Sequence, residues 1–195
     1  MEIKDGGILI IAAPRTGSTN LMKSIGSAYN KKERFEPDIV KKWPRYDSSN
    51  DVVKFVPLWE SHISNDNEKI IYDKYDTMIK HAKEFNTIIL LDRINRREQV
   101  DSFYVLQENY TGRVNIKWRD EQIDTNSENY KFFEKYLNAF PKLFNKLSKE
   151  LNIPIDYYEN VYKNKSLTNK NIKLDLEYFK PKYKLRQPII ERKLL

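Results

Sequence analysis

The stretch Gly7-Ile8-Leu9-Ile10-Ile11-Ala12-Ala13-Pro14-Arg15-Thr16-Gly17-Ser18-Thr19-Asn20-Leu21 decides how the rest of the chain is read. Its first part is an unbroken apolar run of strand length. A half-exposed strand would alternate, so the run fits a central parallel strand covered on both faces. The pattern changes after Pro14. Ser18 or Thr19 can cap a helix in which Leu21, Met22, Ile25 and Ala28 recur at helical spacing. Strand, tight loop and helix follow one another directly.

A glycine-containing turn in that position presents unpaired backbone N–H groups and the positive end of the helix dipole, a geometry that binds phosphate. Pro14 stiffens the exit, Gly17 permits close backbone approach, Ser18 and Thr19 offer hydroxyls, and Arg15 adds a permanent charge. The nucleoside-triphosphate loop needs Gly-x-x-x-x-Gly-Lys-Ser/Thr. Here Ala12 stands at the first glycine position, Ser18 stands at the lysine position, and the cation has moved to Arg15. The change disfavours an ordinary ATPase and keeps an anion site.

Further along, Val52-Val53-Lys54-Phe55-Val56 stops at Pro57 and reads as a strand, and Tyr72 to Phe85 has weaker helical character. Thr87-Ile88-Ile89-Leu90-Leu91 is the clearest strand of the chain, and a helix is expected from Asn95 to about Glu108. Tyr130, Phe133, Leu137, Phe140, Phe144, Leu147 and Leu151 form an apolar helix stripe, which Pro141 kinks or divides. Ile153 to Tyr158 looks like a further short strand, and the tail beyond is basic and irregular. Strands alternating with helices predict an α/β fold, a central parallel sheet flanked by helices, in a single domain over residues 1–195.

A second polar constellation begins where the clearest strand ends, in Leu91-Asp92-Arg93-Ile94-Asn95-Arg96-Arg97-Glu98-Gln99-Val100-Asp101-Ser102. Asn95, Gln99 and Ser102 fall on one helix face, and Arg93 can swing toward it from the carboxyl end of the strand, where open α/β sheets bind ligands. Val100, Phe103 and Tyr104 are left to pack on the sheet.

Ala13-Pro14-Arg15-Thr16-Gly17-Ser18-Thr19-Asn20-Leu21 resembles the 5′-phosphosulfate loop of sulfotransferases that use 3′-phosphoadenosine 5′-phosphosulfate (PAPS), closest to the bacterial type acting on carbohydrates. Arg93, Asn95, Gln99 and Ser102 match the form Arg-x-Asn-x-x-x-Gln-x-x-Ser, which resembles the 3′-phosphate site of the same family. The resemblance is strong over residues 8–22 and 88–104, faint over 34–37 and 155–160, and absent from the rest. It implies a P-loop-like sulfotransferase fold and PAPS as co-substrate, without a metal. It also implies donor binding by Pro14, Arg15, Thr16, Gly17, Ser18, Thr19, Asn20, Arg93 and Ser102.

Arg15 is then the expected cation at the leaving phosphate oxygen, since arginine keeps its charge and binds two oxygens at once. Glu36, in Arg34-Phe35-Glu36-Pro37, resembles the family's Glu-Pro element beside the acceptor and ranks first as the base. His62 suits neutral pH but lies outside any motif; Glu60 is a further candidate. Tyr158-Glu159-Asn160 resembles a Tyr-Glu-Asp/Asn segment with a structural role. Lys54, a lysine inside a strand, needs an anionic partner or an edge facing water.

The chain carries 35 Lys and Arg against 28 Asp and Glu, a net charge of +7 that draws anions but is scattered along the sequence. There is no cysteine, which removes disulfides, thiolate metal sites and cysteine nucleophiles. The first apolar run is too short for a signal peptide or a membrane span, and cytoplasm is the default location. Two other readings remain at this point. A magnesium-dependent nucleotide kinase or hydrolase would use the same strand-loop-helix, with Asp92 holding the metal. A basic nucleic-acid-binding module would use the charge and the tyrosines, although these aromatics fall on apolar stripes rather than on stacking platforms.

Overall fold

In a computed structural model, which describes residues 6–35, 46–57, 75–108 and 123–162, the run Ile8–Ala12 is strand β1, with all five residues buried. Its partners are β3 (Val52–Phe55) on one side and β4 (Thr87–Asp92) on the other, both parallel to it. Beyond them lie β2 (Glu33–Phe35) against β3 and β5 (Ile155–Tyr157) against β4, also parallel. The sheet order is β2-β3-β1-β4-β5. This is an α/β fold with a parallel sheet flanked by helices.

The unbroken apolar character of β1 has a direct cause. Leu9 and Ile11 face one core together with Val53, Leu90, Val100 and Phe103. That side is covered by helices α2 (Tyr75–Ala82), α3 (Arg96–Glu108), α4 (Glu128–Asn138) and α5 (Phe140–Leu151). Ile8, Ile10 and Ala12 face a second core with Leu21, Met22 and Ile25 of helix α1 (Ser18–Tyr29) and Val161 of the short helix α6 (Tyr158–Val161). Both faces are dry, so both parities of the strand must be apolar.

Pro141 divides the long apolar stripe rather than bending it. Ala139 lies between α4 and α5, and the proline falls in the first turn of α5, where its missing N–H costs nothing. One strand is new and one expectation needs correction. The strand β2 was not legible: Glu33-Arg34-Phe35 is an edge strand, half wet and without an apolar pattern. The run expected as a strand from Ile153 to Tyr158 yields only three strand residues, because Tyr158 already begins α6. Among the described residues no helix is long and apolar enough to cross a membrane.

The topology places a crevice. The chain leaving β1 passes through α1 to β2 on one side of the sheet. The chain leaving β4 passes through α3, α4 and α5 to β5 on the other. Connections that diverge from two adjacent strands leave a cleft at their carboxyl ends, where such sheets bind ligands. That point lies between Ala12 of β1 and Leu91 of β4, which are register partners.

Candidate functional site

The ladder between β1 and β4 runs one residue past the strand, with the Ala13 N–H donating to the Leu91 carbonyl at 3.0 Å. Pro14 has no N–H, so pairing stops and the chain turns out of the sheet. The loop that follows is fastened at three of its carbonyls. Thr16 Oγ1 donates to the Ala13 carbonyl at 2.8 Å, Gln99 Nε2 donates to that of Pro14, and the Tyr162 hydroxyl donates to that of Gly17. Thr16 and Gln99 are fully buried.

Gly17 rather than Ser18 or Thr19 occupies the cap position of α1, with φ 72° and no side-chain cap bond. The reason is steric. The left-handed backbone favours glycine, and a Cβ on Gly17 would lie 2.9 Å from the Tyr162 ring. Ser18 and Thr19 therefore belong to the first turn, and among the described residues no carbonyl accepts from the amides of Gly17, Ser18 or Thr19. Asn20 and Leu21 start the helical ladder by donating to the Gly17 carbonyl. Lys54, buried on β3, donates from Nζ to Thr19 Oγ1 at 3.0 Å.

Arg15 also sits at positive φ, 60°. A non-glycine residue there carries local strain, held by the bonds on either side. Its Nε donates to Ser102 Oγ at 2.8 Å, joining the loop after β1 to the helix after β4. Among the described residues no carboxylate forms an ion pair with Arg15. Burial first, and the neighbouring Arg93 guanidinium second, hold its pKa below the usual arginine value. A cation that is partly desolvated and pushed by a like charge is short of an anion.

The arginine at the end of β4 is placed differently from expectation. Arg93 does not swing to the face of Asn95, Gln99 and Ser102. It lies buried with its guanidinium carbon 4.9 Å from the Tyr158 ring centroid, its Nη2 bonded to Glu98 and its Nε 3.7 Å from Glu159. The cause is the pair of carboxylates on its other side, which outweigh the neutral amides and hydroxyl of that face. Nη1 has no hydrogen-bond partner among the described residues.

Of the three polar residues, Gln99 and Ser102 lie on α3 and line the crevice, whereas Asn95 precedes the helix and caps it. Asn95 Oδ1 accepts from the Glu98 N–H, Gln99 holds the loop, and Ser102 holds Arg15. Glu159 accepts from the N–H groups of Ile94 and Asn95 at 2.9 and 2.8 Å, fixing the turn that carries Arg93. Asp92 binds Arg96 through both carboxylate oxygens, at 3.1 and 2.9 Å. Burial pushes the Asp92 carboxyl above the ordinary range, with the Arg96 hydrogen bond pulling the other way.

Glu36, Glu60, His62 and the basic tail lie outside the described residues. Among the described residues no three His, Asp or Glu side chains cluster so as to hold a metal ion. Reading the sequence missed the parts played by Glu98, Arg96 and Tyr162. Only Glu98 left a signal, since it stands three residues after Asn95, the spacing of a capping box. No protein-family model matches this chain, and no curated protein sequence matches it.

Proposed function

We propose that this chain is a PAPS-dependent sulfotransferase with a P-loop-like fold, acting on an acceptor hydroxyl, that of a sugar or a glycolipid. The observation that carries the reading is Arg15: a guanidinium without a carboxylate partner among the described residues, beside Arg93 and tied to Ser102 across the β1/β4 crevice. An anionic nucleotide supplies the charge these groups lack. The open amides at the start of α1 suit its 5′-phosphosulfate. The unpartnered Nη1 of Arg93 suits its 3′-phosphate.

In this reaction the bond from sulfur to the bridging phosphate oxygen breaks as the acceptor oxygen bonds to sulfur, and the acceptor proton passes to a base. Adenosine 3′,5′-bisphosphate leaves. Arg15 stabilises the charge that grows on the departing phosphate oxygen, the main contribution a protein makes to such in-line transfers. The base is Glu36 by resemblance, with His62 second. Phe35, the last residue of β2, lies at the carboxyl edge of the sheet one position before Glu36.

Two features speak against a magnesium-dependent kinase. Arg96 takes both oxygens of Asp92, the carboxylate such an enzyme gives to its metal. Lys54 places an ammonium on Thr19, the hydroxyl position that a nucleoside-triphosphate loop offers to magnesium. A cation there favours a metal-free anion site.

The test is nucleotide turnover. The chain is incubated with PAPS and a mixed carbohydrate and glycolipid acceptor pool, in chelator, and release of adenosine 3′,5′-bisphosphate is followed. Acceptor-dependent release supports the reading. Release of ADP from ATP and magnesium, with none from PAPS, would replace it by the kinase.

A further inference from the structure

Glu98 is in an unusual position for the first turn of a helix. The spacing Asn95-x-x-Glu98 is that of a capping box, in which the carboxylate reaches back to the N–H of the cap residue. Here only half of that exchange takes place. Asn95 Oδ1 accepts from the Glu98 N–H at 3.2 Å, but the Asn95 N–H is taken by Glu159 Oε1 at 2.8 Å. The second oxygen of Glu159 takes the Ile94 N–H, so Glu159 is committed to the backbone and only 16% exposed. Released from capping, the Glu98 carboxylate goes to Arg93 Nη2 instead.

The two members of that pair are unlike. The Arg93 side chain is 1% exposed and that of Glu98 is 47% exposed. Arg93 is fixed by the Tyr158 ring and the Glu159 carboxylate, while Glu98 reaches it from solvent and can return there at little cost in desolvation. Two buried nitrogens of the guanidinium, Nε and Nη1, have no hydrogen bond among the described residues. A phosphate oxygen is a stronger partner than a half-hydrated carboxylate and can use both terminal nitrogens.

We propose that Glu98 is the exchangeable counter-ion of Arg93: its carboxylate holds the guanidinium until the second phosphate of a nucleotide takes its place, and it thereby sets how tightly a 3′-phosphorylated nucleotide binds. This rests on the nucleotide reading above. Glu98 is a specificity-determining residue that competes with the ligand, and its presence lowers affinity for the bisphosphate without touching the 5′ side. In exchange, Arg93 never stands as a buried charge without a partner, a state that would cost the fold more than the competition costs binding.

The experiment is calorimetric titration of the full chain, in chelator, with adenosine 3′,5′-bisphosphate and separately with adenosine 5′-monophosphate. Wild type is compared with Glu98→Gln and with Glu98→Asp, whose carboxylate is one methylene shorter and falls short of Arg93. The bisphosphate is expected to bind about tenfold tighter to both variants, as removal of a competing state allows, with the monophosphate unchanged. Should one variant fail to fold, the other carries the test. Bisphosphate affinity equal to or weaker than that of a wild type that does bind it overturns the role of Glu98 alone. Equal tightening for the monophosphate overturns it too, since a general charge effect then suffices. Binding of neither nucleotide to wild type removes the nucleotide reading itself, and this inference with it.

Discussion

Two arginines stand at the ends of adjacent strands, and the protein treats them in opposite ways. Arg15, after β1, has a hydroxyl for a partner, a strained backbone and a like charge nearby. Arg93, after β4, has an aromatic ring beneath it and two carboxylates around it. The first is an electrostatic debt left open at the mouth of the crevice; the second is built into the fold, and in the proposal above it would meet a ligand by exchanging a partner. Charge at a strand end is thus not one kind of feature. What surrounds it decides whether removal is felt in turnover or in stability.

The sharpest way to break the contrast is to delete each arginine in turn. Arg15→Ala should lower turnover with PAPS by about 100- to 1,000-fold while leaving the chemical-denaturation midpoint nearly unchanged or slightly raised. Arg93→Ala should instead destabilise the fold by about 3 kcal/mol, because a fully buried side chain packed on the Tyr158 ring is lost, and should weaken the donor's apparent affinity more than kcat. Equal losses of stability in both variants would erase the distinction.

Gly17→Ala probes the loop between them. Its φ of 72° and the 2.9 Å approach of a Cβ to the Tyr162 ring predict a loss of about 2 kcal/mol, read by denaturant unfolding. Donor affinity should fall as well, since the first turn of α1 shifts. Tyr162→Phe keeps the ring and removes only its hydrogen bond to the Gly17 carbonyl. It should cost about 1 kcal/mol, with a raised KM for PAPS and little change in kcat.

The smallest effect is a slope. Because burial raises the Asp92 carboxyl, the folded state holds that proton more tightly than the unfolded chain does. The associated stability is complete below the ordinary carboxylate value and is lost as pH rises through the raised one. Asp92→Asn cannot titrate, so its stability relative to wild type should increase over that window and level off above it. A constant difference across the window would show that Asp92 titrates normally.

How much of this was legible in the sequence varies element by element. β1 and β4 announce themselves because both faces are dry, and Ile8 to Ala12 has no polar residue to conceal the run. The division at Pro141 follows from one missing N–H. β2 left no trace, since an edge strand of Glu33-Arg34-Phe35 gains its structure from pairing with β3 and not from its own pattern. In the site, the common side of Gln99 and Ser102 was readable from helical spacing, but the capping place of Asn95, outside the helix, was not. The pairing of Arg93 was not, because Glu159 and Tyr158, remote in sequence, reach it from the end of the neighbouring strand β5. Local spacing predicts which side chains share a face; only the fold decides which charge is already answered.

In the proposed reaction a single ligand is gripped from both strand ends at once. Amide hydrogen exchange of the full chain, with and without adenosine 3′,5′-bisphosphate in chelator, addresses that directly. Slowed exchange is predicted together in the loop of residues 15–19 and in the turn of residues 93–96, to the same extent at each nucleotide concentration. Protection of only one segment, or of both by ATP with magnesium but not by the bisphosphate, would contradict it.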